Sequence, residues 1–402
     1  MTRRVDRTGR EADNLLDVAG PKERELNAMR GRFAGAAAGI VVLGLAVSGC
    51  SGTAAPDPAG QAFGRQVASD IKTRSQAMAA VDDLGKDPVV GYDGPVPGSA
   101  TTGDAKITVS RGGAAHGSID LDGTNVDVYE ADGQTLVKSG KSYWDDKAGW
   151  AAKAAQYAGK WVKSTADNGV GFDPAEVLKP SALAQRVKGT LGQVGTPVKD
   201  KVGDTDALKI PVIGGNLYIT TAAPYRLLEV DVPGLLNPGG QGKTTGDGLK
   251  FDHLDPDAVD KFYDDLKGES LKDALDTSVT FTQSGSGKLD CKTGGLCTAS
   301  VSFSTSTSDT SLNKVTALLN VTMSASGLPT KKCGATKSVA ASGSSSMSCH
   351  ANFALAPSPH PKTYRVLAKY ALTAKASIDQ SSINSKLDTA KKTDHDAAKK
   401  NE

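Results

Sequence analysis

Two Asp-Gly pairs divide the region between residues 107 and 144 into short segments in which apolar and polar residues alternate. Asp122-Gly123 and Asp132-Gly133 are typical of type I′ hairpin turns. A period of two places every second side chain on the same face of a strand. The pattern therefore predicts an antiparallel meander with one solvated face and one apolar face, the latter formed by Ile107, Val109, Ile119, Leu121, Val126 and Val128.

Helix signals lie on both sides of the meander in the sequence. A stripe at spacings of three, four and their multiples predicts a first helix that ends near Gly85, with the apolar face Phe63, Val67, Ile71, Met78, Val81 and Leu84. Asp173-Pro174-Ala175-Glu176 combines an N-cap, a proline at N1 and an acid at N3, and predicts a helix that reaches about Lys188. Asp255-Pro256 predicts another helix start, with an end at Gly268.

The segments between these helices complete a mixed pattern. We expect a Pro/Gly-rich loop at 87–98, and three further strands near Leu208–Val212, Leu217–Thr221 and Arg226–Val232. Residues 61–268 are therefore predicted to form an α+β domain in which a curved antiparallel sheet wraps around helices.

The composition changes near residue 277. Between Thr277 and Thr310, 16 of 34 residues are Ser or Thr, and alternating apolar positions persist beneath them. We expect residues 275–385 to form a small all-β sandwich, with solvated hydroxyl-rich faces rather than O-glycosylation. Residues 389–402 are polar and predict a disordered tail.

Five cysteines occur in the chain, and Cys291, Cys297, Cys333 and Cys349 all lie after residue 290. In an exported protein an even set predicts disulfides, and four cysteines allow three pairings. We favour the local pairing, Cys291 with Cys297 and Cys333 with Cys349. A zinc site that includes His350 is the alternative, but the set lacks the CxxC spacing that is common in such sites.

The fifth cysteine, Cys50, follows a secretory signal. Residues 29–49 contain Arg30, Arg32 and a 14-residue apolar run, which is shorter than the roughly 20 residues of a membrane-spanning helix. Residues 1–28 carry six basic and six acidic residues, unlike the start of a signal peptide. We interpret them as an extension upstream of the true initiator, Met29. The ordinary alternative is a secreted protein with a chance cysteine near its cleavage site.

The Val47-Ser48-Gly49-Cys50 ending resembles the lipobox of bacterial lipoproteins. The resemblance implies that Cys50 receives a diacylglyceryl group and becomes the first residue of a chain held at the outer face of the cytoplasmic membrane. Residues 50–60 would then form the lipidated cysteine and a flexible tether.

The phrases GSIDLDGTNVDVY, LVKSGKSYW and FDPAEVL, with the later LKIPV and PYRLLEV, are similar to the LppX/LprG-type lipoproteins of actinobacteria. More distantly, they resemble the LolA/LolB lipoprotein carriers. The resemblance covers about 200 residues and implies a half-barrel sheet around helices, with an apolar cavity for the acyl chains of an envelope lipid. The six apolar meander residues are the predicted lining of that cavity.

Charge and motifs exclude several other functions. Removal of residues 1–49 leaves 39 basic and 39 acidic residues, so nucleic-acid binding has no electrostatic support. Ser69-x-x-Lys72 and Lys292-Thr293-Gly294 match parts of the penicillin-recognising serine enzymes, but the S-x-N element between them is missing. We predict a non-enzymatic protein without metal or cofactor. Its function is to carry a lipid or a lipoprotein, or alternatively to contact a wall polymer or a protein without any small ligand.

Overall fold

A computed structural model of the chain describes residues 58–95, 103–146, 154–163, 170, 172–236, 248–356, 360 and 362–401. The extension at 1–28, the signal peptide at 29–49, Cys50 and most of the tether lie outside these residues. The predicted tether reached residue 60, whereas a helix already begins at Pro58.

The N-terminal part begins with one long helix, which is followed by groups of strands separated by shorter helices. The helices are α1 (Pro58–Lys86), α2 (Lys141–Asp146), α3 (Ala154–Tyr157), α4 (Pro174–Leu178), α5 (Pro180–Thr190) and α6 (Pro256–Gly268). The strands are β1 (Val89–Pro95), β2 (Asp104–Ser110), β3 (Ala115–Leu121), β4 (Thr124–Ala131), β5 (Gln134–Ser139), β6 (Val162–Lys163), β7 (Val198–Val202), β8 (Thr205–Val212), β9 (Gly215–Thr220), β10 (Leu227–Asp231), β11 (Leu249–His253) and β12 (Leu275–Asp276).

The C-terminal part adds six long strands and a helix. These are β13 (Val279–Cys291), β14 (Leu296–Thr307), β15 (Lys314–Ala325), β16 (Lys331–Ala340), β17 (Gly343–Asn352), β18 (Val366–Lys375) and α7 (Gln380–Asn401).

One open sheet of fifteen strands runs through both parts in the order β16-β15-β18-β12-β6-β5-β4-β3-β2-β1-β11-β10-β9-β8-β7. The two-residue strand β12 joins them, since it pairs antiparallel with β18 and parallel with β6. The predicted α+β class is therefore confirmed, with sheet predominating.

Both predicted hairpin turns are confirmed. Asp122 and Gly123 have φ angles of 52° and 80°, and Asp132 and Gly133 have 54° and 67°. Positive φ at both central positions is what a type I′ turn requires. The strands that these turns connect pair in continuous antiparallel register.

Two local predictions were wrong. The segment predicted as a loop at 87–98 contains β1, which pairs with both β2 and β11. The helix predicted from Asp173 to Lys188 is divided into α4 and α5 at Lys179, whose ψ is 126°. Pro180 explains the break, because its ring disfavours a helical conformation for the residue before it.

The meander is covered on both faces, whereas the alternation predicted one solvated face. The second face packs against α6 and α7 through a separate apolar cluster that includes Val89, Tyr129, Leu136, Trp161 and Tyr263. Tyr129 and Leu136 are opposite each other on β4 and β5, and both are fully buried. The sheet is therefore a middle layer between two sets of helices.

The C-terminal strands form two facing layers around one apolar core. The three-stranded sheet β13-β14-β17 faces β16, β15 and β18 of the large sheet, and Phe303, Val321 and Met323 are among the most buried core residues. The Tyr370 hydroxyl of β18 donates to the Lys288 carbonyl of β13 at 2.8 Å, which ties the two layers.

Both disulfides of the favoured pairing are formed. Cys291–Cys297 closes the β13–β14 hairpin at a registered cross-strand pair. Cys333–Cys349 connects β16 in the large sheet to β17 in the three-stranded sheet. The second bond therefore links the two layers of the C-terminal part covalently.

The predicted disordered tail at 389–402 was wrong, because residues 380–401 form α7. Ile383, Leu387 and Ala398 are buried in the cluster that α7 shares with α6. The ammonium group of Lys391 lies 2.9 Å from a carboxylate oxygen of Asp264 on α6. The polar composition of the tail gives no sign of this ion pair. A few apolar positions on one face are sufficient to dock a helix that is otherwise solvated.

None of the helices within the described residues is both long enough and apolar enough to cross a bilayer.

We expect the layer-linking disulfide to stabilise the protein more than the hairpin disulfide. A loop of the Cys333–Cys349 length is worth about 3 kcal/mol on the chain-entropy model, and the shorter Cys291–Cys297 loop about 1 kcal/mol less. Urea unfolding of C333S/C349S and of C291S/C297S measures the two losses. Equal or inverted losses would contradict this ranking.

Candidate functional site

The six predicted cavity residues lie together on one face of the sheet. The register places Ile107, Gly117 and Val128 side by side, with Ile119 next to Val126 in the adjacent row. Five of the six are at most 1% exposed, and Leu121 is half-buried near the end of β3. The single apolar face predicted from the alternation is therefore present.

This face packs against helices through one continuous apolar cluster, here called the sheet–helix layer. The cluster includes side chains of α1 and α5, together with residues of α2, α3 and α4; examples are Ala77, Ala80, Val81, Leu84, Trp144, Tyr157, Leu178, Leu183 and Val187. Small residues on α1 allow that helix to approach α5 closely. Gly85 of α1 shows the same closeness, because a Cβ there would lie 3.2 Å from the Ala184 Cβ.

One cross-strand row runs through the middle of the sheet–helix layer. It joins eight strands in register and consists of Phe251, Tyr92, Ile107, Gly117, Val128, Val137, Val162 and Leu275. Gly117 is required there, since an added Cβ would lie 2.2 Å from the Lys106 carbonyl oxygen. The row thus combines close strand contact with an apolar surface.

Tyr92 places a hydroxyl group within this apolar row. The side chain is 2% exposed, and its ring meets Phe251 edge-on at 5.6 Å between centroids. Its hydroxyl oxygen has no hydrogen-bond partner among the described residues. Burial raises the pKa of Tyr92 well above its usual value, so the group is a neutral phenol. An unpaired buried hydroxyl costs about 1–3 kcal/mol, which a polar partner would recover.

Glu130 places a carboxyl group on the same face of β4 as Val126 and Val128. It is 4% exposed, and its Oε2 accepts a hydrogen bond from the Ala175 amide at 3.1 Å. Burial, and then the charge of Asp173, raise the pKa of Glu130 to about 8 against the opposing Ala175 bond. The protonated acid therefore predominates at neutral pH and attaches α4 to the sheet.

His253, Asp87 and Asp83 form an acidic cluster with ligand atoms within 4.8 Å of one another, near the end of α1. The His253 Nδ1 lies 2.5 Å from Asp87 Oδ2, and its Nε2 donates to the Leu227 carbonyl at 2.7 Å. A carbonyl oxygen and a carboxylate oxygen both accept hydrogen bonds, so both ring nitrogens act as donors and the ring is an imidazolium. Burial lowers the pKa of His253, but the Asp87 bond and charge outweigh it and raise the pKa overall.

A metal ion at this cluster would have to replace the bond between His253 and Asp87. Their 2.5 Å separation is a hydrogen-bond distance, whereas two ligands each about 2.1 Å from one ion in a tetrahedral site lie farther apart. The geometry is therefore that of a buried ion pair that holds α1 to β11.

Sequence reasoning missed Tyr92, Glu130 and the His253–Asp87 pair. The prolines and glycines around Val89-Val90-Gly91-Tyr92 hid a buried central strand. Glu130 occupies the next inward-facing position after Val126 and Val128. A charged residue at an apolar position of an alternating strand was the signal in the sequence that could have identified it.

Of the other predicted site residues, the four disulfide cysteines are paired as described above, and Cys50 lies outside the described residues.

A comparison with models of protein families, with curated proteins and with solved structures finds no match to this chain.

We expect the stability of the protein to fall as the pH rises through the titration of Glu130. The pKa of Glu130 is about 8 in the folded state and 4.5 ordinarily. The stabilisation by protonated Glu130 is therefore complete below pH 4.5 and is lost as the pH rises through about 8. The difference sets an upper limit of about 5 kcal/mol. Glu130→Gln keeps an acceptor for the Ala175 amide but cannot ionise.

Urea unfolding from about pH 4 to about pH 9 tests this expectation. The stability of E130Q relative to the natural protein should increase as the pH rises. Glu176→Gln is the matched control, because Glu176 is an exposed acid on α4, the helix that Glu130 attaches to the sheet. Parallel pH profiles for the natural protein and E130Q would show that Glu130 titrates normally.

Proposed function

We propose that this chain is a lipid-anchored protein of the bacterial cell envelope that binds the acyl chain of an apolar molecule within the sheet–helix layer. The proposal includes a LolA-like half-barrel fold for the sheet and the helices that cover it. The observation that carries it is the Tyr92 hydroxyl, which lies without a hydrogen-bond partner among the described residues inside an apolar row.

The covering helices support a route for entry. The helices α2, α3 and α4 have six, four and five residues, and helices this short have little stability apart from their packing. The sheet face beneath them is fully buried, so a ligand enters by displacing part of this cover. An acyl chain would replace the apolar contacts that are lost, and its polar end would hydrogen-bond to Tyr92.

A second candidate function is contact with a hydroxyl-rich wall polymer, without any small ligand. The outer face of the sheet β13-β14-β17 supports this alternative. Cross-strand register there aligns rows of hydroxyl groups, such as Ser284–Ser302–Ser346 and Thr282–Ser304–Ser344. Such rows offer hydrogen-bond donors and acceptors but no apolar anchor, so this is the weaker candidate.

Val126→Trp tests binding in the sheet–helix layer. The larger side chain occupies the space of a ligand, and overpacking of this kind costs about 1–3 kcal/mol. We expect the variant to unfold cooperatively but to bind a fluorescent fatty acid at least about tenfold more weakly. Val198→Trp is the matched control, because Val198 is 58% exposed on the edge strand β7. The carrier proposal is wrong if the natural protein binds no acyl probe.

Tyr92→Phe provides a second test with a different expected result. The variant loses a hydroxyl without a described partner, so its stability should stay the same or rise by up to about 1 kcal/mol. Binding of a fatty acid should weaken, whereas binding of an alkane of equal length should not. Equal affinity of Y92F for the fatty acid would place the polar end elsewhere.

Cys50→Ala tests the anchor separately. The lipobox resemblance implies that this variant is released from the membrane fraction or remains an uncleaved precursor. Mass spectrometry of the N-terminal peptide and membrane fractionation distinguish these forms. A mature variant that stays with the membrane as before would contradict lipid attachment at Cys50.

A further inference from the structure

A polar cleft of about 520 Å³ lies where the end of α1 meets α7 and the turn between β2 and β3. Its lining includes Lys86, Arg111 and Lys400, together with Thr393, Asp396 and Asn401. None of these residues belongs to the sheet–helix layer. The cleft is therefore a separate feature from the proposed acyl site.

Arg111 is held in place by a buried partner but keeps free donors. One of its terminal nitrogens lies 3.4 Å from Asp394 Oδ1, and the other oxygen of Asp394 accepts the Tyr263 hydroxyl at 2.6 Å. The Arg111 side chain remains 41% exposed. A guanidinium has five N–H donors in a rigid plane, so an oriented Arg111 can still bind an anion in the cleft.

Lys86 and Lys400 add two positive charges without an ion pair or hydrogen bond in the described part of the chain. Both are exposed at helix ends, Lys86 on α1 and Lys400 on α7. Asp396 is the one carboxylate in the lining. Counted over the lining residues alone, three cations and one anion give a net charge of +2, and Asp394, which pairs with Arg111, lies behind the lining.

We propose that this cleft binds the phosphate ester of a small polyhydroxy alcohol. Arg111 and the two lysines would hold the phosphate oxygens by charge-assisted hydrogen bonds. Thr393, Asn401 and Asp396 provide hydrogen-bonding groups for hydroxyls of the attached alcohol. The volume is in the range of small-molecule sites and exceeds what a phosphate ion alone requires.

The same chemistry occurs in free glycerol 3-phosphate and in the headgroup of phosphatidylglycerol. Calorimetric titration of the full chain with glycerol 3-phosphate tests the free source. Phosphatidylglycerol in phosphatidylcholine vesicles, compared with phosphatidylcholine alone, tests the headgroup. Uncharged glycerol should not bind, and binding of the phosphate ester should weaken as salt is added.

The double variant K86Q/K400Q removes both unpaired charges and leaves the Arg111–Asp394 contact in place. The matched control is K72Q/K399Q, which makes the same change at exposed positions of the same two helices outside the cleft. We expect K86Q/K400Q to bind glycerol 3-phosphate or phosphatidylglycerol vesicles at least about tenfold more weakly, and K72Q/K399Q to bind within about twofold of the natural protein.

Weaker binding by K86Q/K400Q alone supports the site. The titration in which the weakening occurs, with glycerol 3-phosphate or with phosphatidylglycerol vesicles, identifies the source of the phosphate ester. Equal loss in both double variants would show general charge attraction and overturn the proposal. Absence of saturable binding in both arms would overturn it as well. Glycerol 3-phosphate has no acyl chain, so the titration with it is independent of the proposed acyl site. In the vesicle arm, binding to phosphatidylcholine alone measures any contribution of the acyl chains.

Discussion

The register of the cross-strand row from Phe251 to Leu275 is the constraint on which the rest of the structure depends. It aligns eight strands so that their apolar side chains face the same helices. A slip of one residue in any strand would turn these side chains to the opposite face. The tight turns at Asp122-Gly123 and Asp132-Gly133 hold this register at two hairpins, and Gly117 permits the close approach of β2 and β3.

Covering both faces of the sheet has consequences for the whole chain. The first face is closed by α1–α5, and the second requires α6 and α7. Because α7 is the last helix, both C-terminal layers lie between the meander and α7 in the sequence, and the chain returns from them to the face that carries Tyr129 and Leu136. This return brings Thr393 and Lys400 beside the end of α1 and creates the polar cleft. The cleft is thus a product of the same packing that completes the core.

The buried polar groups stand out because the surrounding layer is apolar. Glu130 and His253 are each fixed by a specific partner, Ala175 and Asp87 respectively, and both couple a helix to the sheet. The Tyr92 hydroxyl has no such described partner, which is why the proposed function depends on it. Our two proposals therefore use different physics: burial of an apolar chain in the layer, and attraction of an anion in the cleft.

The sequence alone determined those features that depend on a few adjacent residues. Hairpin turns, helix N-caps at Asp173 and Asp255, and the face shared by Ile107 and Val128 follow from local spacing and chemistry. For the cysteines, the sequence favoured the local pairing among three, and the structure contains that pairing. The turns and caps depend on two to four adjacent residues, and the shared face depends on a period of two within short strands, so a short pattern carries enough information for them.

Only the tertiary structure decided what covers each face and which polar groups meet. The tail from residue 389 has a polar composition, but it becomes helical because α6 supplies apolar contacts and the carboxylates of Asp260 and Asp264. Tyr92 lies in a segment whose glycines and prolines predict a loop, yet β2 and β11 provide hydrogen bonds on both sides. The partners in both cases are distant in sequence, and local propensity is too weak to oppose the burial and pairing that they provide.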